Sequence, residues 1–135
     1  MTVTSITSRS AGRRTVSIGT VTLRVACSSR EWGPAVHTTV SVAGEIDTAN
    51  AAEFAVTVRQ AAENCSVLVL DLAEVDFMAI DGMSALHAIN AHLLRDGVRW
   101  CIVASPAVAR VLGLCDPEGL IPVARHSALR GAESA

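Results

Sequence analysis

The sequence predicts a single small α/β domain, with a mixed sheet of about five strands and three to four helices in the order β-β-α-β-α-β-α-β. Three observations carry that expectation. Residues 21–42 hold two stretches of period-two alternation separated by a short polar turn, the pattern of an antiparallel pair. Val67 to Leu72 is a nearly unbroken aliphatic run, which marks a strand buried on both faces under helical cover. Strand-like and helix-like stretches alternate from there on, which implies parallel strands joined by right-handed crossovers. A chain of 135 residues with 50% hydrophobic and 18% charged residues has the composition of one core-building domain.

The elements follow in order. Residues 1–18 are Thr-, Ser- and Arg-rich and are expected to form a flexible N-terminal arm, with the domain over 19–127 and a tail over 128–135. Val21, Leu23, Val25 and Cys27 alternate with polar or small residues as a first strand, and Ser28 to Pro34 is the turn. Val36, Thr38, Val40 and Val42 make a second strand that ends at Gly44. Helix one is expected from Thr48 to Glu63, capped by Asp47 or Thr48, with Phe54, Val58 and Ala61 inward. After the Val67–Leu72 strand, helix two runs from Asp81 to about Asp96, with Leu86, Ile89 and Leu93 inward and Gly97 as its left-handed stop. Trp100 to Ala104 is a further strand. Ser105 then caps a third helix with Pro106 at its first position. That helix buries Val108, Val111 and Leu112 and ends at Gly113. Ile121 to Ala124 is a last strand, placed at an edge because Pro122 has no N–H to donate. Ser127 to Arg130 can start a terminal helix.

Composition excludes several functions. A formal charge of −2 and the absence of a basic stripe argue against nucleic-acid binding. No apolar run reaches the ~18–20 residues of a membrane span. All 11 basic residues are Arg, so chemistry that needs a lysine is unavailable. That removes a receiver-type phosphorylation of Asp71, which also lacks the acidic pair expected after the first strand. Cys27, Cys65, Cys101 and Cys115 match no zinc spacing, and His87 and His92 are five apart rather than four, so neither a metal nor another cofactor is expected. With no signal sequence in residues 1–17, a cytoplasmic setting with reduced thiols follows. Cys65 and Cys115 are expected near the bottom of the sheet, where they could form a redox pair. Trp32 either folds over the sheet edge or stands exposed as a contact residue.

In open α/β sheets, function gathers where strands end and helices begin. Three such junctions are expected at one edge of the sheet. They are Gly44 to Thr48, Asp76 to Gly82, and Ala104 to Pro106. Asp47 and Asp81 read first as helix caps, and no nucleophile–base set accompanies them, so no enzymatic activity is expected.

Several segments resemble the STAS domain of bacterial anti-sigma factor antagonists. They are Val42 to Asn50, Val69 to Phe77, Gly82 to Leu86, and Ala104 to Val108, and the resemblance covers about Val21 to Ser127. It implies a protein-binding module that sequesters an anti-sigma factor of the kinase-like ATPase type and so regulates transcription. In the family pattern that partner phosphorylates a Ser or Thr at the start of helix two. Here the segment reads Ala79-Ile80-Asp81-Gly82-Met83, so Asp81 occupies the phosphoacceptor position and that control is expected to be absent. A scaffold or sensory STAS module that binds a small ligand or nucleotide is the alternative. The expected partner face comprises the loop with Glu45, Asp47, Thr48 and Asn50, the segment Met78, Ala79, Ile80, Asp81, Gly82, Met83 and Ser84, and the turn Ser105-Pro106. Met78, Ile80 and Met83 would supply its apolar area. A monomer or weak homodimer is expected.

Overall fold

The computed structural model describes residues 13–18 and 23–124. Its elements are β1 (Arg13–Ile18), β2 (Leu23–Trp32), β3 (Ala35–Ile46), α1 (Ala51–Ala61), β4 (Val67–Met78), α2 (Asp81–Arg95), β5 (Arg99–Ala104) and α3 (Pro106–Cys115). They form a five-stranded sheet in the order β1-β2-β3-β4-β5. The first two pairings are antiparallel, and the β3–β4 and β4–β5 pairings are parallel. The mixed α/β architecture is the expected one, with differences at both ends.

The segment expected as an arm contributes a strand, since Arg13–Ile18 pairs with Leu23–Ser28. Its alternation is confined to Thr15-Val16-Ser17-Ile18, a short run after two arginines, and backbone pairing to β2 completes the strand. At the other end, the strand expected over Ile121–Ala124 is reduced to one parallel bridge, Ile102 to Val123. It is held by Ile102 N–H to the Pro122 carbonyl and Ala124 N–H to the Ile102 carbonyl, at 2.9 and 2.8 Å. Pro122 has no donor to extend the ladder. The terminal helix expected at Ser127–Arg130 lies outside the described residues.

The polar stretch Ser28–Trp32 is not a turn but the outer half of β2. Its register with β3 continues to the Trp32–Ala35 pair, leaving Gly33 and Pro34 as the hairpin turn. Trp32 is 55% exposed there, beside His37 with ring centroids 5.8 Å apart. It is therefore the exposed alternative that holds.

The core lies on one face of the sheet. Leu23, Val25 and Cys27 of β2, Val40 and Val42 of β3, Leu68, Leu70 and Leu72 of β4, and Ile102 of β5 are all buried. The ladder registers place them on the same side. Phe54 and Val58 of α1, Leu86, Ile89 and Leu93 of α2, and Val108 and Leu112 of α3 join the same cluster. The helix stripes read from the sequence are thus the packed ones. Val67 and Val69 are not part of that cluster; they are only half-buried, on the opposite face. The aliphatic run of β4 is covered by helices on one side only.

Helix ends follow local chemistry in part. Ser105 caps α3 as expected, accepting from the Val108 N–H at 3.1 Å, with Pro106 first in the helix. That helix passes the expected stop at Gly113 and runs to Cys115. Asp116 closes the following loop by accepting from the N–H groups of Leu120 and Ile121, each at 3.0 Å. Those bonds, the Ile121 one foremost, hold its pKa below the ordinary 3.8 against the opposing effect of burial, with help from nearby His87. A carboxyl depressed in the folded state stabilises the fold above its unfolded pKa, and this is lost as pH falls through the folded value. Asp116→Asn is therefore expected to be less stable than the parent at pH 7. The two denaturation curves should converge as pH is lowered below about 4.

Candidate partner-binding site

The site grows from the upper ends of β3 and β4. Both strands run past the rest of the sheet, with Ile46 opposite Met78. Two register shifts accompany the extension, between Ser41 and Ala43 and between Gly44 and Glu45. Gly44 takes φ +114°, a conformation that side-chain-bearing residues rarely adopt and that a bulge of this kind uses. The Ala79 N–H donates to the Ile46 carbonyl at 2.8 Å, so the two strand ends leave the sheet together.

The loop after β3 is tied by Asp47 and Asn50. The Asp47 N–H donates to Asn50 Oδ1 and the Asn50 N–H to Asp47 Oδ1, both at 2.9 Å. Asn50 Nδ2 donates to the Glu45 carbonyl, also at 2.9 Å. Asp47 thus caps a turn rather than helix one, which begins at Ala51 instead of Thr48. Asn50 is 3% exposed and positions the loop. Glu45 and Thr48 are exposed, and Asp47 is half-buried.

The segment after β4 departs from expectation in its apolar residues. Met78 and Met83 are each 3% exposed and belong to the core, whereas Ile80 is 71% exposed. Phe77, at 49%, is a surface residue that the sequence reading missed. Met83 could have been recognised, because it lies three residues before Leu86 on the inward stripe of helix two. Phe77 could not, since the strand alternation breaks down beyond Ala73. The apolar surface is therefore Phe77 and Ile80, not Met78 and Met83.

Asp81 is also corrected. It is the first residue of α2, not its cap, and the cap position falls on Ile80 with no side-chain hydrogen bond. Its exposed carboxylate sits over a helix N-terminus, where a negative charge is stabilised by about 0.3–1 kcal/mol. Ser84 is exposed on the first turn. Gly82 is buried, and a Cβ built there would come within 2.5 Å of Met78 Cγ and 2.8 Å of Met78 Sδ. This close approach fixes α2 against the end of β4. Gly82→Ala is expected to cost about 1–3 kcal/mol through displaced Met78, outweighing a gain of up to about 1 kcal/mol in helix propensity. Urea denaturation checks this, and Gly82→Ala with Met78→Ala should recover the overpacking part.

Ser105 and Pro106 stand apart from the other two segments in register. Ala104, the end of β5, pairs with Leu72, six residues before Met78 along β4 (78 − 72). Ser105 is buried as a cap, and only Pro106 is exposed. The structure thus brings Glu45–Asn50 and Phe77–Ser84 together at one end.

The cysteines are free thiols. Burial raises the pKa of Cys27, with a further rise from neighbouring Cys65. Burial also raises that of Cys65, opposed by its hydrogen bond with Thr38. Thr38 in turn bonds Ser29 at 3.1 Å. Cys27 is thus a neighbour of Cys65, and Cys115 is half-buried at the end of α3. Among the described residues no group of His, Cys, Asp or Glu is arranged to hold a metal, and no helix is long and apolar enough to cross a membrane.

The STAS domain model matches residues 33–128. This chain belongs to the STAS domain family. This STAS chain is 35% identical over 136 residues to Osmosensory protein A of Mycobacterium tuberculosis (strain ATCC 25618 / H37Rv), covering 96% of this chain and 86% of the relative. It superposes on an anti-sigma factor antagonist from Mycobacterium paratuberculosis with a TM-score of 0.60 at 24% identity, covering 93% and 97% of the two chains. It also superposes on the unphosphorylated anti-sigma factor antagonist SpoIIAA with a TM-score of 0.59 at 12% identity, covering 81% and 97%. At these identities the two superpositions establish the fold alone.

Proposed function

We propose that this STAS module is an anti-sigma factor antagonist that sequesters a kinase-like ATPase anti-sigma factor and thereby regulates transcription. The observation that carries the reading is the exposed pair Phe77 and Ile80 beside the Asp81 carboxylate, at the paired ends of β3 and β4. Large apolar side chains next to charged ones, on a rigid strand–helix junction, suit a protein partner better than a small substrate. The SpoIIAA and M. paratuberculosis structures support it at the level of fold. Glu45 and Thr48 extend the surface, and Asp47 and Asn50 hold its shape.

Phosphorylation does not control this site in the proposed mechanism. Serine-kinase chemistry transfers a phosphoryl group to a hydroxyl oxygen, and Asp81 offers a carboxylate instead. Its fixed −1 charge is smaller than the ≈ −1.5 to −2 of a phosphoserine, so it opposes the partner less than that group would. Asp81 makes no capping bond, so Asp81→Ser should fold like the parent, losing at most about 1 kcal/mol of dipole stabilisation. The test compares parent and Asp81→Ser with the partner and ATP. The parent is expected to bind and remain unmodified at this position, and the variant to bind at least as tightly and to become phosphorylated. A parent that fails to bind any kinase-like anti-sigma factor of its own organism would overturn the reading.

A further inference from the structure

The strand carboxylates around the upper-end site have no partners within the fold. β4 spaces its core residues two apart at Leu68, Leu70 and Leu72, then three apart at Val75 and Met78. The register accounts for the change. β4 advances from Asp71 to Glu74 while β3 advances from Ser41 to Ala43, and from Val75 to Phe77 while β3 advances from Gly44 to Glu45. Each step leaves one extra residue in β4, a bulge that re-aims the side chains beside it. Ala73 with Glu74, and Asp76 with Phe77, are the exposed pairs that result. Phe77 therefore stands with Glu45 directly opposite it in register and Asp76 before it in the chain. Glu45, Glu74 and Asp76 are exposed, and among the described residues no hydrogen bond or ion pair engages their carboxylates. Like charges on neighbouring strands repel, so these three do not serve the fold.

The rest of the charge is arranged the other way. Arg24 is the only basic side chain that β2, β3 or β4 contributes at this end among the described residues. At the opposite end Arg30, His37 and Arg99 lie in one cross-strand row, and Arg59 and Arg95 fall in the last turns of α1 and α2. The domain is thus polarised, with its negative pole at the upper-end site. Asp81 is a separate case, because the helix N-terminus beneath it offsets its charge. The strand carboxylates have no such offset.

We propose that the surface received by this face is basic: an apolar recess for Phe77, rimmed by lysine or arginine side chains that meet Glu45, Glu74 and Asp76. The inference rests on the reading of this site as a partner-binding one and adds the partner's chemistry. Charge complementarity selects it. A neutral surface would leave the three carboxylates desolvated and unpaired, and an acidic one would press like charges together. A basic rim pairs them while Phe77 supplies the apolar contact. Charges at the rim of an interface act chiefly on the approach of the two partners, so the expected signature is kinetic.

Stopped-flow mixing of the full chain with the kinase-like anti-sigma factor of its own organism, from about 20 to about 500 mM salt, tests this. The association rate constant of the parent should fall by about tenfold or more across that range, with a much smaller change in the dissociation rate constant. Glu74→Lys combined with Asp76→Lys should slow association by about tenfold or more at low salt and flatten its salt dependence. Thermal unfolding of that double variant should match the parent or exceed it. Arg24→Glu removes the opposing charge and should speed association. Phe77→Ala should act on dissociation instead. Binding whose association ignores both salt and the double reversal overturns the basic surface and leaves the partner-binding reading standing. A double variant that unfolds below the parent also overturns it, since the carboxylates would then serve the fold. A parent that binds no such anti-sigma factor overturns both readings.

Discussion

Ile80→Glu is expected to weaken binding of the proposed anti-sigma partner by about thirtyfold or more while leaving the fold intact. The side chain is 71% exposed, so a carboxylate there meets water in the free protein and costs the fold little. In the complex the same carboxylate would be buried without a partner, beside the existing charge of Asp81. Truncating an apolar anchor at a protein interface commonly costs about 2 kcal/mol or more, and a buried unpaired charge adds to that. Calorimetric titration gives the affinity, and thermal denaturation of the free variant supplies the control. Phe77→Ala should act in the same direction with a smaller effect. Met83→Glu makes the opposite case. At 3% exposure it would place a charge in the core, and the expected result is an unfolded or aggregated chain. If Ile80→Glu and Phe77→Ala both bind as the parent does, the partner surface lies elsewhere on the domain.

Asn50→Ala should lower the stability of the domain by about 2–4 kcal/mol, the largest effect expected of any polar substitution here. The side chain receives the Asp47 N–H and donates to the Glu45 carbonyl, at 2.9 Å each, from a position 3% exposed. Removing it strands two backbone groups in a part-buried loop, and each unsatisfied group costs about 1–3 kcal/mol. Asn50→Asp separates the two contributions. It keeps an oxygen for the Asp47 N–H but presents a second oxygen to the Glu45 carbonyl in place of a donor. Urea denaturation should therefore rank the parent above both variants, and the loop that displays Glu45 and Thr48 should lose order in step. An Asn50→Ala chain with unchanged midpoint and slope would show that the Asp47 carboxylate alone holds the turn.

Much of the fold is written in short-range signals. The hairpin of β2 and β3, the aliphatic start of β4, the inward stripes of the helices and the Ser105 cap each depend on residues within a few positions of one another. Local alternation, 3.6-residue periodicity and capping chemistry report such features directly. The family was legible for the same reason, because its segments are themselves strand–helix junctions whose residue types are constrained locally.

Tertiary structure decided the rest. The alternation in Arg13–Ile18 is short and the outer halves of β2 and β4 carry polar residues without clean alternation, and all three are strands because a neighbouring strand satisfies their backbone groups. Ile121–Ala124 looked equally like a strand, yet it makes one bridge, because Pro122 interrupts the donors. At the site, sequence chose the right segments and misassigned the side chains within them. Phe77, Met78, Ile80 and Met83 are all large and apolar, and nothing local says which of them point to solvent. That depends on how the bulges at Gly44 twist the ends of β3 and β4, and on Gly82 letting α2 close over Met78. Asp81 reads as a cap from its position, but the chain turns into α2 one residue earlier and leaves its carboxylate free. Composition and periodicity determined that this is a small α/β domain, because burial on one helix stripe or one strand face is a local property, and the junction segments carried the resemblance to the STAS family. Which side chains reach a partner is set by strand register and by the packing of one element's end against another, which long-range contacts alone fix.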